Sequence, residues 1–249
     1  MNWDILIKQF KAYLQLERSL SLNTIDAYIR DVVKLQHYLE ISNPSTGKEK
    51  INISPVRVTA EHIRNFLVSI NELGITPHTQ ARILSGIKAF YKFLLIEDII
   101  KDDPTALVEA PKLGRKLPDT LSYPEIEKLL NAIDLSAPTG TRNRAMLETL
   151  YSSGLRVTEL IELRLSNIYS DIGFLKILGK GDKERLVPIG REALKFVYMY
   201  VNDIRCHIEI KKGFEDHVFL SNRGAMLTRV MVFMIIKDLA NRIGVRKNI

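Results

Sequence analysis

Cysteine occurs once in these 249 residues, at Cys206. A single thiol excludes an internal disulfide and has no companion with which to hold a metal, which leaves it as core packing or as a residue on a helix surface. Long apolar runs are missing too. None approaches the ~18 residues of a membrane-spanning helix, and Met1–Ser19 has no signal-peptide core. The expectation is a cytoplasmic chain with no membrane partner. Tyrosine does not recur after Tyr200, and none of the five histidines is followed three residues later by arginine. The last 49 residues therefore hold no phenolic nucleophile.

What is present is a globular composition with a basic bias. With 46% hydrophobic and 26% charged residues, the chain has enough apolar surface for two ordinary domains, each with its own core. The formal charge is +7 and the pI near 9.4. The excess is +6 on residues 108–249 and only +1 on residues 1–107, so a polyanionic partner is expected mainly at the carboxy half.

Residues 1–103 read as a domain of four helices. Leu6, Phe10, Tyr13 and Leu14 line the first, from about Asp4 to Arg18. Asn23 is the expected cap of the second, with Asp26 in its first turn and Ile25, Val32, Leu35 and Leu39 inward. Thr59 opens the third and Gly74 closes it; Thr76-Pro77 opens the fourth. Opposite the apolar face of the fourth run Gln80, Arg82, Ser85, Lys88 and Lys92. Such a stripe is either a solvated face or a row of phosphate contacts.

Residues 104–118 carry three prolines and a glycine without helical periodicity, as expected of an extended linker, and Lys112, Arg115 and Lys116 lie along it. They serve solubility or a nearby polyanion. Residues 119–249 form the second expected domain. Ser122-Tyr-Pro-Glu125 is a capping box opening a helix to about Ile133. A hairpin follows from Phe174–Ile177 and Arg185–Ile189, with Gly179-Lys180-Gly181-Asp182 as its turn. A long helix spans Arg191 to about Ile210. Val218–Leu220 is read as a buried strand. Thr228 caps a last helix with Val232, Phe233, Ile236, Leu239 and Ala240 inward.

The informative stretch is Thr141 to Lys183. A helix from Arg142 ends at Gly154, and the next helix begins with Arg156 in its first turn. A cation at a helix start opposes the helix dipole by roughly 0.3 kcal/mol or more. Either Glu159, three residues on, compensates it with an ion pair of roughly 0.2–0.5 kcal/mol, or an external anion does.

Gly154-Leu-Arg156-Val-Thr-Glu159-Leu, followed by Gly179-Lys180-Gly-Asp-Lys183-Glu-Arg185-Leu-Val-Pro188, resembles the first catalytic box and the following hairpin of the tyrosine recombinases, the phage integrase family. Within it the chain is most similar to the Xer recombinases, and Leu22-Asn-Thr-Ile-Asp-Ala-Tyr28 looks closer to their XerD than their XerC branch. The resemblance implies a mainly α chain: an amino-terminal four-helix, SAM-like core-binding domain, then an α+β catalytic domain with a small antiparallel sheet. It assigns catalysis to Arg156, as the clamp on the nonbridging phosphate oxygens, and to Lys180, as the proton donor to the leaving oxygen, with Glu159 in support. It makes Arg82, Lys88, Lys92, Lys112, Arg115, Lys116, Lys183, Arg185, Thr228, Arg229 and Lys237 candidates for DNA contact.

The family's second box, a histidine and an arginine, its later histidine or tryptophan, and its nucleophilic tyrosine have no counterpart here. The expectation is therefore a polypeptide truncated before them, monomeric, which binds DNA without cleaving it. Full-length relatives join strands through a 3′-phosphotyrosyl link and use no cofactor. The implied partners are a duplex recombination site, a related Xer recombinase in a heterotetramer, and a DNA translocase in chromosome dimer resolution. A phage or transposon integrase and a non-catalytic DNA-binding accessory protein are the other readings.

Overall fold

The computed structural model describes residues 2–41, 53–114, 117, 119–179 and 183–247. The chain divides into two compact units, Met1–Lys116 and Leu117–Ile249.

The first unit holds four helices, α1 (Trp3–Leu16), α2 (Leu22–Ile41), α3 (Ala60–Glu72) and α4 (Pro77–Ile96). Their starts follow from local chemistry. Asn2, Thr59 and Thr76 each accept a backbone N–H of the first turn, and Pro77 fills a position where a helix has no use for an N–H. The second helix differs from expectation. It begins at Leu22, so Asn23 lies inside the first turn and Asp26 beyond it; Ile25 N–H already reaches the Ser21 carbonyl. Trp3, Phe10, Phe90 and Phe93 make the aromatic centre of the core, with Trp3 stacked on Phe90 at 5.9 Å. The indole N–H of Trp3 donates to the Ile53 carbonyl at 2.9 Å.

The second unit opens with α5 (Tyr123–Asn131), two residues shorter than the sequence suggests, and α6 (Gly140–Ser153). The Glu125 carboxylate accepts both the N–H and the hydroxyl of Ser122, which closes the capping box. The short α7 (Val157–Ile161) follows. A sheet of three antiparallel strands comes next, β1 (Ile168–Tyr169), β2 (Phe174–Leu178) and β3 (Glu184–Pro188), in the order β1-β2-β3. The first of these strands, two residues long, has no alternating pattern to announce it. In the hairpin Ile177 faces Arg185 and Leu175 faces Val187, so Leu175 and Ile177 point into the core.

Two further elements depart from expectation. The long helix is regular only over α8 (Arg191–Met199) and continues as a π turn at Tyr200–Ile204 and a 3-10 turn at Arg205–His207. Cys206 is exposed there, on the helix surface. Val218–Leu220 is buried but is no strand. The Val218 N–H goes to the Leu163 carbonyl, and the Leu220 N–H goes to the Tyr200 hydroxyl at 3.1 Å. An apolar run guarantees burial, and its backbone here is satisfied by single partners rather than a ladder. Thr228 caps α9 (Arg229–Arg242), with Val232, Leu239 and Ala240 inward. Phe233 is exposed instead, with Lys237 Nζ 5.7 Å from its ring centre.

Candidate functional site

Three charged side chains meet where α7 begins. Gly154 ends α6 in the left-handed region, φ 58° and ψ 32°, and lets the chain turn sharply into Arg156. Arg156 is the N-cap of α7 in extended conformation. Its backbone N–H is taken by Glu159 Oε2 at 2.8 Å, and its Nη1 by Glu159 Oε1 at 2.9 Å. The carboxylate thus compensates the helix start and the cation on it together.

Glu159 has a second cationic partner. Arg185, 26 positions on and in β3, donates Nη1 to Oε1 and Nη2 to Oε2, both at 2.9 Å. This is the fork-to-carboxylate geometry that makes a charge-assisted pair strong. The Glu159 side chain is only 7% exposed. Hydrogen bonding from Arg185 lowers its pKa to about 2 against the opposing effect of burial, with the Arg156 contacts adding in the same direction. The same pair raises the pKa of Arg185. At neutral pH the three groups are two cations around one anion.

Arg156 stays open. Its side chain is 74% exposed, and Nη1 is its only guanidinium nitrogen bonded to a described residue. The ion pair and the external anion stood as alternatives in the sequence. The structure contains the ion pair and leaves most of the guanidinium in solvent.

The hairpin approaches the same place. Gly179 N–H donates to the Lys183 carbonyl at 2.8 Å, and a Cβ at Gly179 would lie 3.0 Å from Arg185 Nη1. Glycine therefore lets the chain at the end of β2 lie close to the Arg185 guanidinium. Lys180 itself, with Arg115 and Lys116, lies outside the described residues. Beside the hairpin a cleft of about 390 Å³ is lined by Glu159, Glu162, Arg164, Lys176, Glu184 and His217. Burial lowers the pKa of His217, and its Nδ1 has no hydrogen-bond partner among the described residues. Among the described residues no group of three or more His, Cys, Asp or Glu is placed to hold a metal ion.

The other candidates are distributed over both units. In the first, Arg82 directs both Nη groups to Asp31, at 2.8 and 2.7 Å. Lys88 is half-buried, and Lys92 and Lys112 are exposed. In the second, Lys183, Thr228, Arg229 and Lys237 are exposed, and the Thr228 hydroxyl is engaged with the Met231 N–H at 3.2 Å. Sequence reasoning does not single out Asp31. The only local signal is an acid beside the inward face marked by Val32 and Leu35; its partner lies 51 positions away.

Residues 119–249 match the phage integrase family, and residues 7–98 its N-terminal SAM-like domain. The chain is 35% identical to the tyrosine recombinase XerD of Listeria monocytogenes serovar 1/2a, over 98% of its own length and 80% of the relative's. It is 39% identical to that of Halalkalibacterium halodurans, over 97% and 78%. Among solved structures, XerH recombinase bound to palindromic difH substrate superposes with a TM-score of 0.73 at 21% identity, covering 98% of this chain and 69% of that one. A lambda integrase (residues 75–356) dimer bound to a COC′ core site does so at 0.72 and 16%, covering 98% and 82%. The fold is thus shared with both. Family matches over residues 7–98 and 119–249 and relatives aligned over nearly all of the chain lead to one conclusion: the chain belongs to the phage integrase family, the tyrosine recombinases, and within it to the Xer type.

Proposed function

We propose that this chain works in site-specific DNA recombination, with Arg156 binding the nonbridging oxygens of the scissile phosphate and Lys180 protonating the departing 5′-oxygen. The observation that carries the reading is the Arg156 guanidinium, exposed on a helix start and tied by one nitrogen to an ionised, buried carboxylate. Its planar fork can take two oxygens of the pentacoordinate phosphorus. Lys180 sits between two glycines, next to the residue that packs on Arg185. An ammonium drawn towards a phosphate in a water-poor site has the proton that a leaving alkoxide needs.

The nucleophile is a tyrosine that these 249 residues do not supply after Tyr200. The polypeptide binds duplex DNA, and these residues by themselves form no phosphotyrosyl link. Lys88, Lys92, Lys112, Lys183, Arg229 and Lys237 contribute phosphate contacts, with Arg115 and Lys116 along the linker. The cellular role is resolution of chromosome dimers in the cytoplasm, together with a related Xer recombinase and a DNA translocase, which the similarity to XerD relatives supports.

The test is a half-site duplex with a nicked strand that traps covalent product. On a denaturing gel the 249-residue chain gives no protein–DNA band, and its appearance would overturn the assignment of the nucleophile. In a chain extended by a segment carrying His-x-x-Arg and a tyrosine, Arg156→Ala abolishes cleavage by orders of magnitude and leaves DNA affinity nearly intact. A DNA-binding accessory protein would show no catalytic loss.

A further inference from the structure

We infer that Arg185 is a positioning residue, the counter-charge that occupies Glu159 so that Arg156 is free to take a phosphate, and this rests on the role proposed above for Arg156. Glu159 carries one negative charge and lies between two guanidinium groups. Arg185 holds both carboxylate oxygens, while Arg156 holds one with a single side-chain nitrogen. The group of three keeps a net charge of +1, and the more exposed member, Arg156 at 74% against 39% for Arg185, is where that charge meets solvent.

Without Arg185 the balance shifts against an external anion. Glu159 would be neutralised by Arg156 alone, the net charge of the pair would be zero, and the fork would turn inward to satisfy a buried carboxylate that had lost two hydrogen bonds. An arriving phosphate would then compete with an internal anion for the same guanidinium. Arg185 removes that competition. It also ties strand β3 to the start of α7, and Gly179, just after β2, leaves room for its guanidinium. The hairpin bearing Lys180 and the helix bearing Arg156 thus share one carboxylate. The fork geometry matters as well, because a lysine in place of Arg185 offers a point charge that cannot cover both oxygens in fixed orientation.

Charge balance makes a prediction that a purely structural role does not. The full 249-residue chain, labelled with 15N at arginine, is titrated with inorganic phosphate at low salt, and the Nε–H resonance of Arg156 is followed, assigned by its loss in Arg156→Lys. Arg185→Gln weakens the apparent phosphate affinity at Arg156 by roughly tenfold. Glu159→Gln together with Arg185→Gln removes the competing anion and the counter-charge, returns the local charge to +1, and restores the affinity to within about twofold. Arg185→Lys falls between.

An Arg185→Gln chain that binds phosphate at Arg156 as the unsubstituted chain does overturns the inference, and so does a double variant no better than the single one. If Arg156 fails to respond in the unsubstituted chain, the phosphate role of Arg156 falls, and this inference with it. A circular dichroism spectrum and melting curve for each variant separates loss of folding from loss of binding. If Arg185→Gln alone is poorly folded, the double variant decides: phosphate affinity near that of the unsubstituted chain supports the inference, and a tenfold loss overturns it.

Discussion

Asp31 is fully buried beneath α4 and holds Arg82 by two hydrogen bonds of 2.7 and 2.8 Å, yet burial raises its pKa more than the arginine lowers it. Desolvation of a buried carboxylate therefore outweighs an ion pair whose other member is 46% exposed. The pair joins α2 to α4, and Gly86 makes room for it, since a Cβ there would lie 2.7 Å from Asp31 Oδ2.

Gly86→Ala pushes on an acid that has nowhere to go, and is expected to cost roughly 1–3 kcal/mol. Asp31→Asn keeps the shape, removes the buried charge and is expected to change stability by under about 1 kcal/mol. Trp3, the single tryptophan of the chain, lies in the core of this unit, so its fluorescence during urea unfolding reads both variants. A Gly86→Ala chain as stable as the parent would show that α2 and α4 are not packed as described.

Acid acts on the junction of α7 and β3 through Glu159. Its folded pKa of about 2 lies below its ordinary value of 4.5, so the stability it contributes is complete above pH 4.5 and is lost as pH falls towards 2. The contribution is roughly 3 kcal/mol at neutral pH. Glu159→Gln should remove most of this acid sensitivity, as followed by hydrogen exchange at amides of α7 and β3. Asp31 has the opposite sign: with its folded pKa raised, the first unit is relieved as pH falls through that value and the relief is complete below 3.8. Trp3 fluorescence and the amides of the second unit should therefore respond differently between neutral pH and about pH 3.

Gly154 holds φ 58° at the end of α6, immediately before the Arg156 turn. Gly154→Ala adds a Cβ that the left-handed region disfavours and is expected to cost about 1 kcal/mol, roughly 3 °C in melting temperature. No neighbouring atom of the described residues lies within 4 Å of that Cβ, so the loss is conformational and not a clash. A larger loss, beyond about 3 kcal/mol, would point to packing instead.

On α4, Lys88 and Lys92 have no acidic partner among the described residues, whereas Arg82 is held by Asp31. Lys88→Ala and Lys92→Ala are each expected to lower duplex DNA affinity and to reduce the slope of log affinity against log salt by about 1. Arg82→Ala acts first on the stability of the unit, leaving Asp31 buried without its partner. Salt titration of the three variants distinguishes a phosphate contact from a staple.

The amino-acid order alone determined what depends on near neighbours. Caps at Thr59, Thr76, Ser122 and Thr228, the left-handed Gly154, the hairpin and the Arg156–Glu159 spacing all arise from contacts between residues close along the chain, which connectivity enforces. Tertiary structure decided whatever joins distant positions. It set Arg185 on Glu159 and Arg82 on Asp31, because a charged side chain's partner depends on which faces pack together and not on its own spacing. It also left Val218–Leu220 without a ladder and Phe233 in solvent. Apolar residues declare that surface is to be covered, and only the arrangement of the whole chain determines by what.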